Sequence, residues 1–297
     1  MAGSMTGTGG RGLAYPILLL LIAMASIQTG ASIAKHMFPL VGAPGASALR
    51  LGLGAVILIA AMRPWRSMPR PGERRALLLY GTALGCMNLL FYMSLRTVPI
   101  GVAVALEFVG PLAVALFGSR RPIDFLWVAL AAAGLLLLLP IGTGISDVDP
   151  VGAAFALAAG AFWAGYILFG KKAGGDLGAG SVAWGTIIAA LLVVPVGVAD
   201  AGSALLNPAV LPMALGVAVL STALPYTLEM MALTRMPTNL FGTLMSIEPA
   251  IGAMSGLILL GEQLALLQWL AIGAIVAASV GASLTARGGE HPVPPAD

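Results

Sequence analysis

Ten predominantly apolar stretches, arranged as two sets of five, constrain this chain more than any other feature. Residues 13–34 carry no charged side chain for 22 residues, and about 20 apolar residues cross a bilayer as a helix. Further runs follow at 46–62, 76–95, 100–117 and 125–139, then at 151–170, 179–199, 210–233, 240–260 and 264–286. Each is too apolar all round to be the surface helix of a soluble domain. Composition enters only as a check: 59% of the 297 residues are apolar and 9% are charged, against about 25% charged in soluble domains. So few charges could not cover a surface facing water. The chain reads as an all-α integral membrane protein of ten transmembrane helices.

A secretory signal peptide is the competing reading of the first run, because Arg11 precedes it and Ala23-Met24-Ala25 resembles a cleavage site. The run continues past that site and recurs as 151–170, so it is read as a helix. Loop charges set orientation. With the N-terminus inside, inner segments hold Arg11, Arg63, Arg66, Arg70, Arg74, Arg75, Arg120, Arg121, Lys171, Lys172, Arg235 and Arg287, whereas outer segments hold Lys35 and Arg96. Cytoplasmic loops collect Lys and Arg, so both termini are expected inside (N-in/C-in). Residues 1–12 are expected to be a disordered tail and 287–297 a cytoplasmic tail.

Five helices per half is an odd number, so the halves 13–140 and 151–286 enter the membrane in opposite senses. This 5+5 inverted-topology repeat is a common transporter plan, with the substrate site near the midplane between the repeats. Aligning Pro99 with Pro237 also aligns Leu106 with Leu244 and Pro111 with Pro249, a shift of 138 residues. Gly81-x-x-x-Gly85 and Gly252-x-x-x-Gly256 are expected helix-contact stripes, since small residues let backbones approach. Tyr15, Trp65, Tyr80 and Trp127 are expected as anchors at the inner interface. Tyr92, Trp163, Tyr166 and Tyr226 lie deeper, either as packing or as polar-tipped walls of a cavity.

Four ionisable residues lie within spans: Arg50, Glu107, Glu229 and Glu248. Each costs roughly 2.5–3.5 kcal/mol at a helix centre. One arginine neutralises only one of three carboxylates, and desolvation disfavours the charged form. At least one glutamate is therefore expected to hold a proton or to face water, as proton coupling requires. In the repeat alignment Glu107 corresponds to Met245 and Glu248 to Gly110, three residues apart and nearly on one face. Both glutamates are thus expected at one central space. Pro111, Pro249 and Pro225 lack an N–H and leave the carbonyls of Glu107, Met245 and Ser221 without helical partners; such carbonyls are tolerated where they line protein or water. The competing reading is a buried Arg50–Glu107 clamp that fixes helix packing. Glu229 is read as a residue that reaches the inner interface.

No enzyme pattern is present: no phosphate-binding loop, no His-Glu-x-x-His, no nucleophile elbow. Cys86 is the single cysteine, and His36 and His291 are too far apart for a metal site. The reading calls for no cofactor, no metal and no nucleic acid; its partners are a small-molecule substrate, protons and membrane lipid, and a homodimer is compatible with it. A channel would usually present rings of like charge built by oligomerisation.

Four strings carry a family resemblance: MASIQTGASIAK at 24–35, VGAPGASALRL at 41–51, VALEFVGPLAV at 104–114 and STALPYTLEM at 221–230. Over residues 15–286 the chain resembles bacterial exporters of the drug/metabolite transporter superfamily, whose members carry two EamA-type five-helix halves. Glu248-Pro249 and Gly261-Glu262 match the family's usual second-half pattern. The first half departs from it, with Gly118-Ser-Arg-Arg-Pro122 where many relatives have Gly-Glu. The resemblance implies efflux of small hydroxylated amino acids, threonine and homoserine among them, across the cell inner membrane in exchange for protons. A family permease for another metabolite or drug is the alternative, and a membrane protein using its arginine and glutamates only for packing is a second. The resemblance carries over no individual substrate contact, so Glu107, Glu248, Arg50, Tyr92, Trp163, Tyr166 and Tyr226 stand as site candidates on physical grounds alone.

Overall fold

The computed structural model describes residues 9–66, 68–117, 122–138, 148–177, 180–233, 235–236, 241 and 244–286. The expected terminal tails fall mostly outside these residues, although the first helix already begins at Gly9. The described chain is helical: α1 (Gly9–Met62), α2 (Arg74–Ser94), α3 (Ile100–Glu107), α4 (Val109–Phe117), α5 (Pro122–Leu138), α6 (Pro150–Leu177), α7 (Gly180–Ala201), α8 (Leu211–Ala218), α9 (Leu224–Leu233), α10 (Glu248–Ser255) and α11 (Leu266–Ala286).

The expected runs 13–34 and 46–62 fall in the single element α1, broken only at Gly42 (φ 69°, ψ 171°). Glycine adopts this positive φ at little cost. A Cβ there would lie 2.7 Å from the Asp200 carboxylate, and Pro44 then suits the opening of the second arm. The expected run 100–117 is interrupted at Phe108, between α3 and α4. α8 and α9 are joined by a π turn, Val219–Ala223, and α10 ends in another, Gly256–Leu260, closed by left-handed Gly261. Five described helices are long and apolar enough to cross a membrane by themselves: Leu13–Met62, Arg74–Ser94, Pro150–Gly170, Gly180–Leu206 and Leu211–Glu229. Their outer faces carry exposed Leu18, Val56, Leu191 and Leu215.

Helices meet where side chains are small. On α1 and α7, Gly45 packs on Ala201, Gly197 on Ala48 and Gly52 on Val194. One index rises as the other falls, so these helices run antiparallel. The same holds for α3 against α10, where Gly101 meets Ala253 and Gly252 meets Val104, and for α5 against α11, where Gly134 meets Ala271 and Gly281 meets Trp127. Gly81 and Gly85 face Ile188 and Ala189 of α7, so that stripe is a helix contact. Tyr80 is not an interfacial anchor: it is 4% exposed and stacks on Tyr166 at 4.9 Å. Gly185 leaves room for its ring. Tyr15 and Trp65 are exposed.

The largest packed core joins residues 31–46 of α1, the 91–106 region, the start of α6 and residues 205–217. Polar ties cross this end. Lys35 Nζ lies 2.6 Å from Glu262 Oε1 and donates to the Val98 carbonyl at 3.3 Å. Glu262 Oε2 accepts the N–H of Ile100 at 2.8 Å, which occupies one of the free donors at the start of α3. Beside it, Asp149 accepts from Gly152 N–H (2.7 Å) and from the Thr97 hydroxyl (2.8 Å). These bonds hold the Asp149 carboxyl below the usual carboxylate range.

Candidate functional site

Beneath that packed end lies a cavity of about 580 Å3 whose wall draws on α1, α2, α3, α4, α6, α7, α9, α10 and α11. Arg50, Glu107, Glu248, Trp163, Tyr166, Tyr226 and Pro111 line it. Both mid-span glutamates therefore reach one space, although they belong to helices far apart in sequence. Glu107 closes α3 just before the Phe108 break, and Phe108 packs edge-on against Trp163 at 5.6 Å. Glu248 opens α10, after the chain turns at Ser246 and Ile247. The exposed N–H ends of a helix's first turn favour negative charge.

Arg50 comes from the second arm of α1. Its Nη2 donates to the Ser221 carbonyl at 2.8 Å, the very carbonyl that Pro225 deprives of its helical donor. The surrounding π turn is crowded into place: Gly30 abuts the Ser221 side chain and Gly54 the Thr222 side chain. The guanidinium lies 5.4 Å above the centre of the Tyr92 ring, a cation–π arrangement. Tyr92 is fully buried and forms this floor rather than the cavity wall. Among the described residues the ion pair within 4 Å is Lys35–Glu262, so the Arg50–Glu107 clamp is not formed. Pro225 and Pro249 are buried behind the wall. The Glu107 carbonyl freed by Pro111 does not look into the cavity alone: Gly160 of α6 packs against it, so close that a Cβ would come within 2.5 Å.

Charge-scanning of the sequence misses three polar wall residues: Gln28, Asn88 and Ser279. Gln28 Nε2 donates to Glu248 Oε1 at 3.2 Å, and Asn88 Nδ2 donates to the Leu84 carbonyl at 2.8 Å. For Gln28 and Asn88 the available signal is a lone amide in each otherwise uncharged run. Glu229, read as a residue reaching the interface, borders the cavity instead.

Residues 150–284 match the EamA-like transporter family. The threonine/homoserine exporter RhtA of Escherichia coli K12 is 61% identical over 272 residues, 92% of each chain. RhtA of Salmonella typhimurium LT2 is 62% identical over the same shares. An uncharacterized transporter of Bacillus subtilis, YwfM, is 29% identical over 65% of this chain and 68% of its own. One crystal structure superposes with a TM-score of 0.56 at 19% identity, covering 93% of this chain and 98% of the other; at that identity it speaks for the fold alone. An apolar exterior around a cavity that holds charged side chains in its wall, with relatives that are transporters and not enzymes, defines a multi-pass membrane transport protein. Within that class, the chain belongs to the EamA-like transporter family.

Proposed function

We propose that this chain exports small amino acids such as threonine and homoserine across the bacterial inner membrane, in exchange for protons. The single observation that carries the reading is the cavity. Its wall sets one guanidinium, Arg50, in a common space with Glu107, Glu229 and Glu248, the complement of a zwitterion plus a coupling proton. The RhtA relatives, by their names, act on these amino acids.

The architecture behind the reading is ten helices, N-in and C-in, as halves 13–140 and 151–286 inserted in opposite senses. The packing supports it. A dyad relating the halves through the 138-residue shift would pair three helices of one half antiparallel with their own counterparts. The second arm of α1 against α7 and α5 against α11 do this, and the span made of α3 and α4 meets its counterpart through α3 on α10. The same dyad would exchange the contact of α2 with α6 for that of α8 and α9 with the first arm of α1, and both contacts are present. Membrane lipid covers the apolar exterior, and a homodimer fits the same surface.

Energetics allow exchange for a single proton. A threonine zwitterion moves no net charge, while one inward proton gains about 2.3 kcal/mol per 100 mV. At a potential of about 150 mV that is roughly 3.5 kcal/mol, enough for a gradient of a few hundred-fold. A carboxylate for which proton and ammonium compete would couple the two fluxes. The test is efflux of labelled threonine and homoserine from expressing cells. Faster uphill efflux than in control cells, abolished by an ionophore that collapses both potential and pH gradient, is expected. Efflux that survives full collapse would rule out proton exchange. No efflux of either amino acid would favour a family permease for another metabolite.

A further inference from the structure

Three side chains in the cavity wall each leave one buried polar atom without a partner: Arg50 Nε, Glu248 Oε2 and Gln28 Oε1. Their residues are 5%, 5% and 2% exposed. Buried polar atoms are nearly always hydrogen-bonded, and one left unpaired pays the cost of lost hydration with no return. The donor and acceptors left over differ by side chain in an informative way. Arg50 offers an N–H; Glu248 and Gln28, tied to each other through Gln28 Nε2 and Glu248 Oε1, both offer an oxygen.

The amide orientation of Gln28 follows from its neighbour. Turned over, its carbonyl oxygen would face the Glu248 carboxylate, two acceptors at 3.2 Å. Gly252 of α10 lies beside it, where a Cβ would come 3.3 Å from Oε1. Tied to Glu248 through Nε2, Gln28 presents Oε1 as an acceptor beside that carboxylate.

We infer that Gln28 and Glu248 together form the α-ammonium subsite for a zwitterionic amino acid, and that Arg50, floored by Tyr92, forms the α-carboxylate subsite. This rests on the amino-acid reading above and adds its polarity. The ammonium donates to Glu248 Oε2 and Gln28 Oε1. The carboxylate accepts from Arg50 Nε while Nη2 stays on Ser221. Gln28, the neutral member, makes the ammonium subsite selective without adding a charge that a proton could occupy.

The test is competition against labelled threonine by purified protein in detergent, with three competitors: threonine, threoninol (no carboxylate) and 3-hydroxybutyrate (no ammonium). Wild-type protein should prefer threonine to either analogue by tenfold or more. Gln28→Met should weaken threonine and threoninol by about tenfold and leave 3-hydroxybutyrate unchanged. Arg50→Gln should weaken threonine and 3-hydroxybutyrate and leave threoninol unchanged. Gln28→Asn withdraws the acceptor by one methylene; it should give the same ordering with a smaller ratio, and it decides the matter should Gln28→Met not fold. Equal weakening of all three competitors by the Gln28 variants would overturn this polarity while the amino-acid reading stood. No saturable threonine binding by the wild-type protein would overturn both.

Discussion

Removing the charge of Glu262 tests whether the tie at the packed end of the bundle holds its helices together. Lys35 Nζ and Glu262 Oε1 are 2.6 Å apart, with side chains 23% and 14% exposed. An exposed pair of this kind contributes about 0–1 kcal/mol, whereas breaking a fully buried one costs about 3–5 kcal/mol. At this partial exposure the expected cost is about 2 kcal/mol. Glu262→Gln leaves an oxygen for the Ile100 N–H, so it isolates the ionic part. Lys35→Met removes the cation and leaves that cap intact. Equilibrium unfolding in mixed micelles should show each single variant destabilised by about 2 kcal/mol, while the double variant costs about 1 kcal/mol less than the sum of the two. Single effects that add to within about 0.3 kcal/mol would refute the pairing; the two ions would then act independently, and the contact would be no more than proximity.

Gly160→Ala should be among the most damaging single-methyl additions, because the new Cβ would come 2.5 Å from the Glu107 carbonyl oxygen, backbone that cannot step aside. Overpacking of this kind costs about 1–3 kcal/mol; Gly216→Ala, with nothing within 4 Å, should be neutral or stabilising in the same unfolding measurement. Glu107→Gln and Glu248→Gln should insert and fold but lose transport or its dependence on pH, read as efflux across a pH series; normal export by both would make the carboxyls structural. Single cysteines at Gly72 and Asn207 in a Cys86→Ala background should label from opposite faces of the membrane, Asn207 from outside, and same-side labelling would end the inverted repeat. Asp149 has a depressed carboxyl, so its hydrogen bonds stabilise above the ordinary carboxylate range and are lost only as pH falls through the lowered value. Asp149→Asn should therefore be less stable than wild type at neutral pH and converge with it in strong acid.

How much of this was legible in the sequence depended on whether a residue's meaning lay in its depth or in its direction. Depth is written in one dimension. The apolar runs, the mid-span position of Glu107 and Glu248, and the carbonyl released by Pro225 all follow from counting along the chain. Direction is not. Charge alone offers Glu107 as a partner for Arg50, the competing reading, yet its Nη2 goes to the Ser221 carbonyl across 171 residues, because the π turn at Val219–Ala223 presents that oxygen and the Tyr92 ring supports the cation. Along the chain Lys35 is a charge of an outer segment and Glu262 part of the Gly261-Glu262 pattern. Their pairing exists only once α1 and the segment before α11 lie side by side. Tyr80 has the position of an interfacial anchor, but the missing side chain of Gly185 opens a slot inward and the ring takes it.

The amides show a different gap. Gln28 and Asn88 bear no charge, so a search for ionisable groups passes over them, although burying an amide without a partner also costs free energy. In a bilayer that cost makes an isolated Gln within an uncharged run a site signal of the same kind as a glutamate, only weaker. Applied to the first run of this chain, the criterion selects Gln28. Its neighbour across 220 residues is Glu248, so the weaker signal points to the same cavity as the stronger one.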